Sequence, residues 1–390
     1  MKILYHHRIA SKDGQYVHVE ELTNALKNLG HEIIFVGPSI IETDDFGSEG
    51  GLVPMLKRYI PGFLYELLEL AYSLIAYYKL QRAIKEHNPD CLYERYNLYM
   101  LAGYWIKNRY RLPFLLEVNA PLFQERQKYN GVALPRLAKW TENTVWKAAD
   151  RVLPVTQVLA DIVANAGVSK EKIEVIHNGV DLKKFSDLEH KNIVRKPGLG
   201  KHGLDNIGLE NKLVLGFTGF IREWHKLDKV VDVVAASNGH DRHLLIVGDG
   251  PARQAIETRA RKLGVSDCVT ITGIVHRDKI ADYVSSFDIA LQPDVVEYAS
   301  PLKMFEYLAL ARAIIAPDSP NIREILTHDK NALLFDPSDP DAFVHSIELL
   351  CTDVELRSRL ARAAGETITE RRFTWHNNAK RVVALIEELI

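Results

Sequence analysis

Near-continuous apolar runs alternate along this chain of 390 residues with longer stretches whose apolar positions recur every three or four residues. The runs are KILYHH, HEIIFVG, DCLYERY, PFLLEVN, DRVLPVT and KIEVIHN in the first half, and LVLGFTG, HLLIVGDG, CVTITGIV, DIALQP, AIIAPD and ALLFDP in the second. Short apolar runs of this kind are what strands buried on both faces look like, and patterns such as VEELTNALKNLG between them read as helices. Strand and helix in alternation predict parallel sheets covered by helices on both sides. The polar, glycine-rich stretch 187–212 reads as a linker or long loop. It divides the chain into an N-terminal Rossmann-like domain over 1–186 and a C-terminal one over 213–371, as expected for a length beyond what one core usually holds.

One segment breaks the rhythm. PGFLYELLELAYSLIAYYKL, residues 61–80, is mostly apolar and rich in aromatics. Glu66 and Glu69 interrupt it, so it is expected as an amphipathic helix that packs in the protein or touches a bilayer surface, not as a spanning one. Lys57, Arg58, Lys79 and Arg82 flank the run and suit peripheral contact with anionic lipid through residues 57–82.

Composition narrows the partners. A formal net charge of −2 gives no chain-wide footprint for nucleic acid. The three cysteines, Cys91, Cys268 and Cys351, are far apart and odd in number, which speaks against a disulfide framework or a zinc site. The N-terminus reads as a strand and a polar loop without the apolar region of a secretion signal, so a cytoplasmic setting is expected.

Ligands in doubly wound sheets lie beyond the carboxyl ends of the strands, where loops run into helices. Gly14 stands at one such junction and would let backbone N–H groups approach an anion. GFTGFIREWHKLD places Arg222, His225 and Lys226 at another. Three potential cations at a helix start oppose the macrodipole unless an anion such as a diphosphate sits there. GDGPAR looks like part of a dinucleotide fingerprint, but Arg253 occupies its third glycine position. In YASPLKMFEYLAL, Ser300 is a candidate N-cap and Pro301 suits the first helical position, leaving the N–H groups of Leu302 and Lys303 for an anion. Lys303 and Glu306 share a face of that helix. The carboxylate suits a pair of vicinal hydroxyls.

At these residues the chain resembles the retaining GT-B glycosyltransferases of family four, the group-one type. The resemblance rests on the Gly14 loop followed by ALKNLGHEIIFVG, VIHNGVD, GFTGFIREWHKLD, GDGP, VTITGIV and SPLKMFEYLALARAIIAP, and it covers nearly the whole chain. It implies two Rossmann-like domains facing across a cleft, with the C-terminal helix, residues 372–390, packed back on the first. It implies that Glu306 binds the donor ribose, that the helix start at Ser300–Lys303 holds the donor diphosphate together with Arg222, His225 and Lys226, and that the base rests near Ile274 and Val275. Tyr298 stands where the family carries a first glutamate, and His177 where its signature carries a proline. Asn119 takes the place of a sugar-facing histidine.

The expected reaction is hexose transfer with retention from a UDP-sugar to a hydroxyl of a glycan or lipid-linked saccharide in polysaccharide biosynthesis. No Asp-x-Asp stands ahead of a cleft, so Arg222, Lys226, Lys303 and the helix start are expected to neutralise the leaving group with no metal or other cofactor. Arg95 and Asn119 end first-domain strands and are candidates for the acceptor or donor-sugar side; Glu94 and Glu117 accompany them. The rival readings are a sugar-nucleotide-binding protein without turnover and a GT-B epimerase or phosphorylase.

Overall fold

The computed structural model describes residues 1–9, 14–38, 60–129, 131–184, 209, 212–237 and 241–390. Residues 10–13 of the loop ahead of Gly14, the flank at 57–59, and all of 187–212 except 209 and 212 lie outside the described residues. The described chain forms two α/β units, one made of residues 1–178, 298–300 and 375–390, the other of 179–297 and 301–374.

In the first unit the order is β1 (Lys2–His6), α1 (Gly14–Asn28), β2 (Glu32–Val36), α2 (Gly62–His87), β3 (Cys91–Arg95), α3 (Ala102–Tyr110), β4 (Phe114–Val118), α4 (Leu122–Tyr129), α5 (Pro135–Ala148), β5 (Arg151–Pro154) and α6 (Gln157–Asn165). Its sheet is parallel throughout, in the order β2-β1-β3-β4-β5. The second unit runs β6 (Leu213–Thr218), α7 (Leu227–Ala235), β7 (Arg242–Val247), α8 (Arg253–Lys262), β8 (Val269–Ile271), α9 (Arg277–Ser285), β9 (Ile289–Leu291), α10 (Leu302–Ala309), β10 (Ala313–Pro317), α11 (Pro320–Arg323), β11 (Leu333–Phe335), α12 (Ala342–Thr352) and α13 (Val354–Arg371). Its sheet, also parallel, is ordered β11-β10-β9-β6-β7-β8. Helix α14 (Trp375–Glu387) packs on α1 in the first unit. Both units are doubly wound, and each has a point where the strand order reverses: between β1 and β3, and between β6 and β9.

Alternation along the strands builds the cores. In β7, Leu245 and Val247 face Met304, Phe305 and Leu308 of α10, while Leu244 and Ile246 face Val230, Val231 and Val234 of α7. Each side chain so enclosed stabilises the fold by about 1.5–3 kcal/mol relative to exposure. One apolar run fails to become a strand. KIEVIHN, residues 172–178, follows a short 3-10 turn at Lys170–Lys172 and makes a single bridge, from Ile173 to Val152. The next ladder position on β5 is Pro154, whose carbonyl accepts from the Ile176 N–H at 3.0 Å but which has no N–H to return a bond and complete a second bridge.

Glu66 and Glu69, read from the sequence as interruptions of an apolar helix, prove to be its inward side. Buried Glu66 accepts from the Ala133 and Leu134 N–H groups at 2.8 and 2.7 Å and from the Tyr99 hydroxyl at 2.8 Å. Glu69 pairs with Arg126 at 2.5 Å.

Glu142 on α5 caps the start of α4, accepting from the Phe123 N–H at 3.1 Å and the Tyr96 hydroxyl at 3.3 Å. Burial raises its carboxyl from 4.5 to about 7, against the hydrogen bonds that favour the charged form. The folded protein therefore holds this proton more tightly than the unfolded chain, so the stabilisation is complete below about 4.5 and is lost as pH rises through about 7. Glu142→Gln is expected to flatten that slope and to raise stability at pH 8 by up to about 3 kcal/mol. Urea midpoints measured from pH 4 to 8 check this, and an unchanged slope would contradict it.

Candidate functional site

The loops at the carboxyl ends of β6 and β9 meet at the reversal point of the second sheet. Gly219 follows β6 with φ +125°, and a Cβ placed there would lie 3.1 Å from the Lys303 Nζ. The Lys303 ammonium, from the first turn of α10, thus rests against the loop after β6. It also sits 3.9 Å from the centroid of the Phe217 ring. Burial lowers it from 10.5 to about 7, partly offset by the Glu306 carboxylate one turn on. A second loop braces the first. Gly248 follows β7 with φ +145°, and a side chain there would put its Cβ 2.1 Å from the Gly219 carbonyl oxygen. Only glycine admits that approach.

Arg222 is exposed, its guanidinium 4.5 Å from the centroid of Phe220 and 5.3 Å from that of Trp224. Lys226, also exposed, caps α7 with φ +50°, a left-handed conformation that L-residues adopt at a cost of about 1–2 kcal/mol. His225 departs from the sequence reading, which grouped it with the cations. It is buried, and burial together with the Lys303 and Arg222 charges lowers it to about 3, so it is neutral at physiological pH. Its Nδ1 accepts the Arg222 N–H at 3.1 Å and its ring packs on Phe217. With Nδ1 engaged as acceptor, the ring proton is on Nε2, a neutral donor.

Helix α10 starts one residue later than expected. Pro301 is itself the cap residue and makes no side-chain capping bond. Ser300 is not the N-cap: its carbonyl accepts from Asn178 Nδ2 at 2.6 Å, which holds it with the first unit, and its buried hydroxyl has no partner among the described residues. The early N–H groups of α10, at Leu302 and Lys303, are of the kind that intrahelical bonding leaves unsatisfied. Ile274 stands half exposed just beyond β8, next to Gly273, which bridges to Gly248; Val275 beside it is partly buried. The structure therefore brings together, within the second unit, Arg222, His225, Lys226, Ile274, Val275, Leu302, Lys303 and Glu306 on loops and a helix start that follow β6, β8 and β9.

The first unit carries its own polar cluster at its reversal point. Glu117, near the end of β4, is buried and accepts from five side chains. They are Arg95 Nη1, Asn119 Nδ2 at 2.5 Å, Tyr93 at 2.9 Å, His18 Nε2 at 3.1 Å and, at 3.5 Å, Tyr5. Burial opposes its ionisation, yet the His18 and Arg95 charges and the bonds from His18 and Asn119 hold it well below the usual carboxylate range. Beside it, His6 Nδ1 meets Glu94 Oε2 at 2.6 Å. Asn119, whose Nδ2 is engaged by Glu117, is only partly buried. The sequence reading named Arg95 and Asn119 but missed His18, Tyr5 and Tyr93. The visible signal was a carboxylate inside each of two otherwise apolar strands.

Gly14 opens α1, with its loop outside the described residues. Tyr298, in place of a glutamate, donates to Glu125 at 2.6 Å, and its carbonyl accepts from Thr156 at 2.9 Å. It is engaged in the packing of the first unit.

Two family models match the chain, Glycosyltransferase Family 4 over residues 12–184 and Glycosyl transferases group 1 over residues 205–367. The D-inositol 3-phosphate glycosyltransferase of Jonesia denitrificans is 25% identical over 96% of this chain and 91% of its own. The alpha-D-kanosaminyltransferase of Streptomyces kanamyceticus is 24% identical over 58% of each. The chain thus spans little more than half the length of that relative. Among solved structures, Anabaena HepE in complex with UDP superposes with a TM-score of 0.71 over the whole of both chains at 16% identity. Sucrose-phosphate synthase from Thermosynechococcus elongatus gives 0.73 at 17% identity, covering 100% of this chain and 99% of its own.

Proposed function

This chain belongs to the group-one glycosyltransferases of family four with the GT-B fold, and from that premise we propose that it transfers a hexose, with retention, from a UDP-sugar to a hydroxyl of a glycan or lipid-linked saccharide in polysaccharide biosynthesis. The observation that carries the reading is the Lys303 ammonium at the start of α10, resting against the loop that bears Arg222 and Lys226. A buried ammonium and two exposed cations beside a helix N-terminus suit a diphosphate better than a neutral ligand. In this reading Glu306, one turn further on, would accept from two ribose hydroxyls, and Ile274 and Val275 would be an apolar rest for a base.

In the reaction so read, the bond from the anomeric carbon to the diphosphate breaks and its electron pair stays with the phosphate. Arg222, Lys226, Lys303 and the α10 N–H groups stabilise that charge, in a setting where such preorganised donors act most strongly. The acceptor oxygen bonds to the anomeric carbon from the face the diphosphate leaves, and its proton passes to a phosphate oxygen. Balance requires no other reactant and assigns no step to a metal. Arg95 and Asn119 would then serve the acceptor or donor sugar, and Gly14 the backbone's approach to the donor. We place the work at the cytoplasmic side, peripheral to the membrane.

A thermal-shift panel of UDP-, GDP- and ADP-sugars, followed by transfer and hydrolysis of the radiolabelled donor with and without EDTA, tests the reading. The expected result is stabilisation by UDP-sugars above the others and slow donor hydrolysis that EDTA leaves intact. Binding without any hydrolysis or transfer would favour a sugar-nucleotide-binding protein. Loss of activity in EDTA would overturn the metal-independent mechanism.

A further inference from the structure

Helix α2 is apolar on both sides. Its inward side buries Ala76, Leu80 and Ile84 in the core of the first unit together with Glu66 and Ser73, which bond to Ala133, Leu134, Tyr99 and Leu101, and pairs Glu69 with Arg126. Its outward side carries Leu64, Leu67, Leu68, Leu74, Ile75 and Tyr78, each between 42% and 65% exposed. These positions follow helical spacing and make one apolar stripe about 21 Å long at 1.5 Å per residue. Among the described residues nothing covers it. Scattered apolar residues on a surface are ordinary, but a continuous stripe of this length is the mark of a face that another apolar surface covers.

Charge decides what the face binds. The stripe ends on Lys79, Arg82 and Lys85, all exposed; Lys79 and Lys85 have no ion pair among the described residues. Glu86, the acidic residue at that end, stands 3.8 Å from Arg82 and is outnumbered. At the other end Gly62 lies against Ala133, where α5 is about to begin, and α5 exposes Arg136, Lys139 and Trp140 within its first two turns. A second copy of the chain would bring the same cations to the face. An anionic bilayer supplies apolar depth and negative charge together, and Tyr and Trp are the side chains that settle at its interface. Helix α2 is held along its length by Ala76, Leu80 and Ile84 in the core of the first unit, so only its outward side is open to a surface; among the described residues no helix is long and apolar enough to cross a membrane. We propose that α2 docks the protein on the surface of an anionic membrane, its Leu64–Tyr78 stripe entering the interface and Lys79, Arg82 and Lys85 meeting lipid phosphates.

The test is co-sedimentation of the full chain with vesicles of phosphatidylcholine alone and of phosphatidylcholine with phosphatidylglycerol. The wild type is expected to bind the anionic vesicles about tenfold or more tightly than the neutral ones, and less in high salt. Leu68→Glu/Ile75→Glu and Lys79→Glu/Lys85→Glu are each expected to lower that binding by about tenfold or more, with circular dichroism and melting confirming an intact fold. The proposal is overturned if the wild type does not bind, if either folded pair binds like the wild type, or if light scattering shows a dimer that Leu68→Glu/Ile75→Glu dissociates.

Discussion

Lys303→Met is expected to lower kcat/KM for glycosyl transfer by about 10²–10³-fold, the range found when one preorganised charge-stabilising group is removed from an active site. Methionine is unbranched like lysine and its thioether packs well against an aromatic ring such as Phe217, over which the Lys303 Nζ sits, so the loss should be electrostatic and the fold should survive. A second readout separates this from a packing defect. Burial brings the Lys303 ammonium down to about 7. Below that pH it is charged before the donor arrives; above it, a diphosphate must draw a proton onto the amine. UDP affinity of the wild type should therefore fall as pH rises from 7 to 9, with proton uptake on binding seen by calorimetry in buffers of different ionisation enthalpy. In Lys303→Met both the pH dependence and the uptake should vanish. If the variant kept the wild-type pH profile, Lys303 would not be meeting the phosphate.

Glu117→Ala should destabilise the first unit by about 3–5 kcal/mol, because it leaves the Arg95 guanidinium buried without its partner. It should also stop transfer at temperatures where the protein remains folded, since Asn119 loses the bond that orients its amide and His18 the carboxylate it faces. UDP binding should persist, because Arg222, Lys226, Lys303 and Glu306 belong to the second unit. The double variant Glu117→Leu/Arg95→Met removes both charges together and is expected to recover most of the stability but none of the transfer. Denaturant melts, UDP titrations and transfer assays on the three proteins check this. Transfer at the wild-type rate in the folded double variant would reduce the cluster to a structural one.

The pattern of the sequence by itself determined the two doubly wound sheets. Short near-continuous apolar runs bounded by turn residues favour strands buried on both faces, and their alternation with helices makes the sheets parallel. The exception, KIEVIHN, turned on one missing N–H at Pro154 of a neighbouring strand, which no reading of the run itself could reveal. The residues gathered after β6, β8 and β9 were legible for the same reason the sheets were: parallel topology puts those loops at one edge.

Tertiary structure alone decided the charge states and the directions of side chains. His225 reads as a cation in a string of basic residues, but burial against Phe217 makes it neutral. Ser300 and Pro301 read as a helix start, but Asn178 holds Ser300 outside it. Glu66 reads as an interruption of an apolar helix, yet two N–H groups and a tyrosine from distant segments hold it on the buried side, while Leu64, Leu67, Leu68 and Leu74 stand exposed. Local periodicity reports which residues share a face. What that face meets depends on partners 24 to 142 positions away, as at Tyr93 on Glu117 and Thr156 on Tyr298, and burial by such partners sets both the cost of a charge and its state of protonation.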